Sequence, residues 1–182
     1  MMKNFVNSVL LPVVAIIVAV AILFGLNFGL ASYREEVNAK ELTAKMQTIL
    51  PGSEVFTEET YTGEDTNIIA TYKAENGYVV ETCVYGYAGN ITMLIGVSNE
   101  GTVTGLQVRD MSETQGLGGE ALWDWEFLIQ FLNNAGDAEI GENIDGLTGA
   151  TVTSKAIARS VNSAVGFVTG ADVESSATSW GG

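Results

Sequence analysis

Residues Asp145 to Ser154 read Asp-Gly-Leu-Thr-Gly-Ala-Thr-Val-Thr-Ser, with four hydroxyl side chains and two glycines in ten positions. Just beyond them Ile157, Val161, Ala164, Val165 and Val168 recur at spacings of three and four. That period predicts a helix from Ser154 to about Val168. Glycines let the backbone turn tightly, and hydroxyls at a helix start satisfy its free N–H groups. A phosphate placed there would meet those donors and the positive end of the helix dipole. The plainer alternative is an ordinary Ser/Thr cap on a surface helix. Lys155 and Arg159, near the helix start, could offset phosphate charge or simply line a solvated face.

The wording of the motif favours the phosphate. Asp145-Gly146-Leu147-Thr148-Gly149-Ala150-Thr151 closely resembles the Asp-x-x-Ser/Thr-Gly-Ala-Thr flavinylation motif of the FMN-binding domain in the NqrC/RnfG family. In that family the last Thr of the motif holds the 5′-phosphate of FMN as a phosphoester installed by a flavin transferase. The resemblance implies that Thr151 is the acceptor. It also implies that Thr148, Gly149 and Ala150 shape the turn and that Asp145 belongs to the pattern the transferase reads. Thr153 and Ser154 complete the hydroxyls expected at the cofactor.

Two further stretches carry the same resemblance. Tyr85-Gly86-Tyr87-Ala88-Gly89-Asn90-Ile91 is similar to the family's Gly-Tyr-Gly-Gly-x-Ile stretch. Ser112-Glu113-Thr114-Gln115-Gly116-Leu117-Gly118 resembles its Glu-Thr-Pro-Gly-Leu-Gly loop, with Gln115 in place of the more rigid Pro. Tyr87, Glu113, Thr114, Gly116, Leu117 and Gly118 are therefore expected near the isoalloxazine, with Trp123 as a wall of the pocket. Glycines allow backbone groups to approach a flat ring, where donors tune its reduction potential.

Composition narrows the chemistry from the other side. The chain has no His and a single Cys83, which excludes an internal disulfide, Ser-His and Cys-His nucleophile pairs, and His-ligated haem or zinc. No metal site is expected, and redox chemistry is left to a bound organic cofactor. All 22 acidic residues lie beyond an N-terminal apolar segment, against seven of the eight basic ones, so that part carries about −15. Such a surface repels nucleic acid.

Far upstream of the motif, the 23 residues from Val9 to Ala31 carry no charge. They are long enough to span a hydrocarbon core of roughly 30 Å and longer than the ~7–15-residue apolar core of a signal peptide. A retained transmembrane helix is expected. Lys3 and the amino terminus flank one end and Tyr33-Arg34-Glu35-Glu36 the other, which puts the domain on the periplasmic or extracellular side of the cell membrane. Glu35 to Leu50 has helical periodicity and ends at Pro51-Gly52, as a juxtamembrane helix. Glu54 to Asp65 is read as a loop or a weak strand.

Ile68 to Lys73, Tyr78 to Tyr85, Ile91 to Ser98 and Thr102 to Val108 are rich in Val, Ile, Thr and Tyr and separated by Gly/Asn turns, which predicts antiparallel strands. Alternation of Ile91, Met93, Ile95 and Val97 with Thr92, Leu94, Gly96 and Ser98 predicts one well-buried face. Glu120 to Ala135 is read as a helix, with Leu122, Trp125, Ile129 and Leu132 on one stripe and Trp123, Phe127 and Phe131 on another, mostly core. The expected fold is α+β: a single N-terminal transmembrane helix (1–32), a juxtamembrane helix (33–52), a mainly antiparallel sheet packed by helices (53–170) and a polar tail (171–182).

The resemblance implies a membrane-anchored flavoprotein subunit carrying covalent FMN, most like the G subunit of an Rnf-type ion-translocating ferredoxin:NAD⁺ oxidoreductase. Thr151 acts as tether, not as catalyst. The implied partners are the other membrane subunits and a flavin transferase. Alternatives are the C subunit of an Nqr-type complex, an FMN carrier to extracellular acceptors, or a non-redox membrane-tethered scaffold.

Overall fold

Glycine and asparagine turns divide residues 57–111 into short β-branched runs, and these become a meander. The computed structural model describes residues 11–112, 119 and 122–170, apart from the side chains of 11–12, 26–28 and 31–32. Helix α1 (Leu11–Ile49) is followed by β1 (Thr57–Glu59), β2 (Ile68–Ala74), β3 (Gly77–Tyr85), β4 (Asn90–Ser98) and β5 (Val103–Met111). A short helix α2 (Trp125–Leu128), a 3₁₀ turn (Ile129–Phe131) and α3 (Thr151–Thr169) complete the elements among the described residues. The strands form one antiparallel sheet in the order β1-β2-β3-β4-β5. The α+β class and the four expected strands are as read from sequence, with boundaries shifted by up to three residues. The acidic stretch contributes the exposed edge strand β1.

The chain divides into two compact units, 1–42 and 43–182. In the first, the described side chains of α1 from Val13 to Gly25 are uncharged and exposed. Among the described residues no helix is long and apolar enough to cross a membrane. The anchor expected over Val9 to Ala31 lies partly outside them.

In the second unit, α3 lies on one face of the sheet. Ile157, Val161, Ala164 and Val165 pack with Val80, Val84, Ile91, Met93, Ile95, Val97 and Val108 into a single apolar core. The other face corrects the expectation of one buried face. Val79 and Leu94, which alternation turns away from α3, are also fully buried. The end of α1 covers that side, where Met46, Ile49 and Leu50 are buried. Gly96 and Gly105 are cross-strand partners and leave a flat spot for it. A Cβ at Gly105 would sit 2.7 Å from Ile49 Cα. Thr104 Oγ1 donates to the Ile49 carbonyl at 2.6 Å, satisfying an acceptor at the helix end.

Among the described residues, the helix expected from Glu120 to Ala135 is α2 and one 3₁₀ turn. Glu120 lies outside the described residues. Asp124 stops extension toward the N-terminus: it is the N-cap, and its carboxylate accepts from Phe127 N at 3.1 Å. At the other end Leu132 is extended and Asn133 is left-handed at φ 62°. The chain there turns to pair with β5, through Asn133 N to Val103 O (2.9 Å) and Val103 N to Asn134 O (3.0 Å). The stripes change accordingly. Leu122, Phe127 and Phe131 are core, whereas Trp123, Trp125, Ile129 and Leu132 are exposed.

Candidate functional site

Helix α3 begins at Thr151, three residues earlier than its periodicity indicated. The N-cap position belongs to Ala150, which has no side-chain oxygen, and no side chain among the described residues caps the helix start. The ordinary Ser/Thr cap is thereby excluded. The hydroxyls do other things. Ser154 is fully buried; its Oγ donates to Ala150 O (2.9 Å) and accepts from Leu147 N (3.3 Å). Thr153 is also fully buried, and its hydroxyl finds no hydrogen-bond partner among the described residues. Thr148 and Thr151 are exposed.

A tight turn delivers Thr151. Ala150 N donates to Leu147 O at 3.0 Å, and Gly149 occupies the third turn position at φ 81°, a conformation that disfavours any residue with a Cβ. Asp145, Thr148, Gly149 and Thr151 all face solvent, while Ala150 is buried beneath them. The arrangement is a 19-residue helix whose first N–H groups lack a side-chain cap, with an exposed hydroxyl at its first position. Lys155, one turn along on the Thr151 side, is exposed.

Two contacts fix how this end lies on the sheet. Phe167 meets Tyr78 edge-on at 5.4 Å near the start of β3, and Arg159 Nη2 donates to Tyr85 O at 3.2 Å at its end. Helix α3 therefore runs antiparallel to β3. Thr151, two turns before Arg159 or about 12 Å along the axis, lies toward the end of the sheet where β3 turns into β4. Arg159 is thus engaged in holding helix to sheet. The Tyr85–Asn90 turn closes through Gly86 N to Gly89 O at 2.8 Å. It packs tightly on Ser112, just after β5: a Cβ at Gly89 would lie 2.6 Å from Ser112 O.

Of the expected ring neighbours, Tyr87 and Trp123 are exposed, at 65% and 69%. Glu113, Thr114, Gly116, Leu117 and Gly118 lie outside the described residues. Gln130 was not legible as part of the site. Its side-chain amide accepts from Asp145 N (2.8 Å) and donates to Asp145 O (3.4 Å). Asn143 likewise bridges Glu139 N (2.8 Å) and Asp137 O (2.7 Å), and Asn162 on α3 bridges Ala138 N and O, both at 3.0 Å. An amide flanked by apolar positions, as Gln130 is by Ile129 and Phe131, was the available signal.

Comparison with known proteins settles the family. The FMN-binding domain family model matches residues 86–166, which include the β3–β4 turn and the Thr151 turn. The G subunit of the Na⁺-translocating ferredoxin:NAD⁺ oxidoreductase complex of Acetobacterium woodii is 31% identical, over 76% of this chain and 79% of that protein. The G subunit of an ion-translocating oxidoreductase complex of Methanosarcina acetivorans is 31% identical over 90% and 94%, respectively. This chain belongs to the G-subunit family of ion-translocating oxidoreductase complexes. A further relative, the G subunit of the proton-translocating ferredoxin:NAD⁺ oxidoreductase complex of Clostridium ljungdahlii, is 37% identical over 54% of this chain and 59% of its own. The G-subunit family is an electron-transfer family and its domain an FMN-binding one.

The donor set fits the phosphate end of FMN. An uncapped helix start offers N–H groups to an anion, Thr151 offers a solvent-facing oxygen, and the glycine turn leaves the approach open.

Proposed function

We propose that the protein is a membrane-anchored G subunit that carries FMN as a phosphoester on Thr151 and relays electrons within an Rnf-type ferredoxin:NAD⁺ oxidoreductase complex. The observation that carries this reading is the start of α3: an exposed Thr at the first helical position, with no side chain among the described residues capping the helix. Bound FMN supplies the electron-carrying chemistry. The protein's own residues hold it. The first N–H groups of α3 and the Lys155 ammonium face the phosphoester charge, and the Thr148-Gly149 turn keeps bulk away from it. Ser154 keeps the turn in register with the helix. Thr153, buried, is not the acceptor. Tyr87 and Trp123 are the proposed aromatic neighbours of the ring, with Glu113, Thr114, Gly116, Leu117 and Gly118 assigned to it by motif.

Anchoring is supported by the uncharged run from Val9 to Ala31 and by the exposed apolar side chains of α1, among them Ile16, Leu23 and Phe24. We place the domain outside the cytoplasm. A covalent tether there keeps the cofactor from being lost by dissociation. Partners are the remaining membrane subunits and a flavin transferase.

The test is co-expression with a flavin transferase followed by denaturing electrophoresis. The expected band fluoresces in wild type and in Thr153→Ala, and is dark in Thr151→Ala. Flavin released entirely on denaturation overturns the covalent linkage. A dark Thr153→Ala beside a fluorescent Thr151→Ala overturns the assignment.

A further inference from the structure

The turn that presents Thr151 has two arms, and they are held differently. The downstream arm is tied to α3 itself, through Ser154 Oγ and the Ala150 carbonyl. On the upstream arm, Ile144 is held by its own turn, through Ile144 N to Glu139 O (3.1 Å) and Gly141 N to Ile144 O (2.8 Å). Between Ile144 and Leu147, the only backbone hydrogen bonds among the described residues are the two that Gln130 makes to Asp145. Gln130 sits on the 3₁₀ turn, whose next residue, Phe131, is fully buried, so its backbone is fixed by the core. The amide engages the Asp145 main chain alone, and Asp145 is exposed.

We infer that Gln130 is a positioning residue for flavin attachment. It pins the upstream arm so that Thr151 Oγ1 and the Asp145 carboxylate reach the transferring enzyme in one arrangement. This rests on Thr151 being the acceptor. The bonds lie at an exposed position, so losing them loosens the turn without unfolding the core. A reacting group that wanders by about 1 Å can lose up to ~10²-fold in rate.

The experiment uses the full-length protein and two variants. Gln130→Met keeps length and removes both hydrogen bonds. Gln130→Glu keeps the acceptor for the shorter one, from Asp145 N–H. Two readouts are taken: the initial rate of covalent labelling at limiting transferase, and amide hydrogen exchange at Asp145 in unlabelled protein. The expected result is labelling slowed roughly tenfold in Gln130→Met, faster exchange at Asp145, an unchanged melting temperature within a few degrees, and recovery of most of both effects in Gln130→Glu. Labelling of Gln130→Met at the wild-type rate overturns the inference while leaving the acceptor in place. Equal slowing in both variants overturns it too, since a merely structural defect would not distinguish them. A wild-type chain that takes no label overturns the acceptor reading and the inference with it.

Discussion

The sheet with α3 and the segment 133–150 are held by different forces. In the first, apolar side chains from β3, β4, β5 and α3 interleave, and Phe127 and Phe131 close one end in a T-shaped pair at 5.3 Å. In the second there is one isolated bridge, Ile140 to Ile144, and no strand or helix. Its backbone is instead held by the amides of Gln130, Asn143 and Asn162. The sheet and α3 are held by apolar packing throughout, whereas the segment that delivers Thr151 joins that core through Ala138 and Ile144 and is otherwise fixed by individually weak polar bonds. Stability and cofactor attachment should therefore respond to different residues.

Substitutions can break that division. Ile95→Ala removes a fully buried side chain from β4 and should cost about 2–5 kcal/mol in a denaturant titration. Labelling should survive wherever the protein remains folded, and labelling lost from a still-folded Ile95→Ala would show that core and site are not separable. On the opposite sheet face, Gly105→Ala forces a Cβ against Ile49 and should cost about 1–3 kcal/mol. A neutral result would mean that the end of α1 moves freely away from the sheet.

Ser154→Ala sharpens the boundary, because its hydroxyl belongs to both regions. Leaving Leu147 N and Ala150 O without it should cost about 1–2 kcal/mol and slow labelling as well. Tyr72 gives the smallest effect. Burial, and next the charge of Glu81 beside it, push its phenol above the usual 10.0. Below about pH 10 the phenol is neutral in both states and the native preference is intact. As pH rises through the raised native value the unfolded chain ionises first, so that stability is lost. Tyr72→Phe should flatten this alkaline decline and leave neutral stability and labelling alone; an unchanged decline would show that another group governs it.

Legibility follows the same line. The strands were readable because β-branched runs and Gly/Asn turns are local signals, as in β3 and β4. The second buried face of β4 was not, since what lies against Gly96 and Gly105 on that face is Ile49, far away in sequence. The paired glycines Gly96 and Gly105 were its only trace. The helix expected over Glu120 to Ala135 is shorter than its pattern because Leu122, Trp125, Ile129 and Leu132, and Trp123, Phe127 and Phe131, happen to fall at helical spacing, while the left-handed Asn133 that ends it depends on pairing with β5. At the site, motif and turn were legible from Asp145 to Thr151. The division of labour among the hydroxyls was not, because a buried Ser154 and an exposed Thr151 look alike until the helix is placed on the sheet.

The central claim is a single ester bond, and mass tests it most directly. Protein matured beside a flavin transferase should gain the mass of FMN less one water. Proteolysis should then place that increment on the peptide containing Thr151, and Thr151→Ala, expected to change stability by no more than about 0.5 kcal/mol, should remain at its unmodified mass. An increment that persists in Thr151→Ala, or no increment in wild type, would contradict the account.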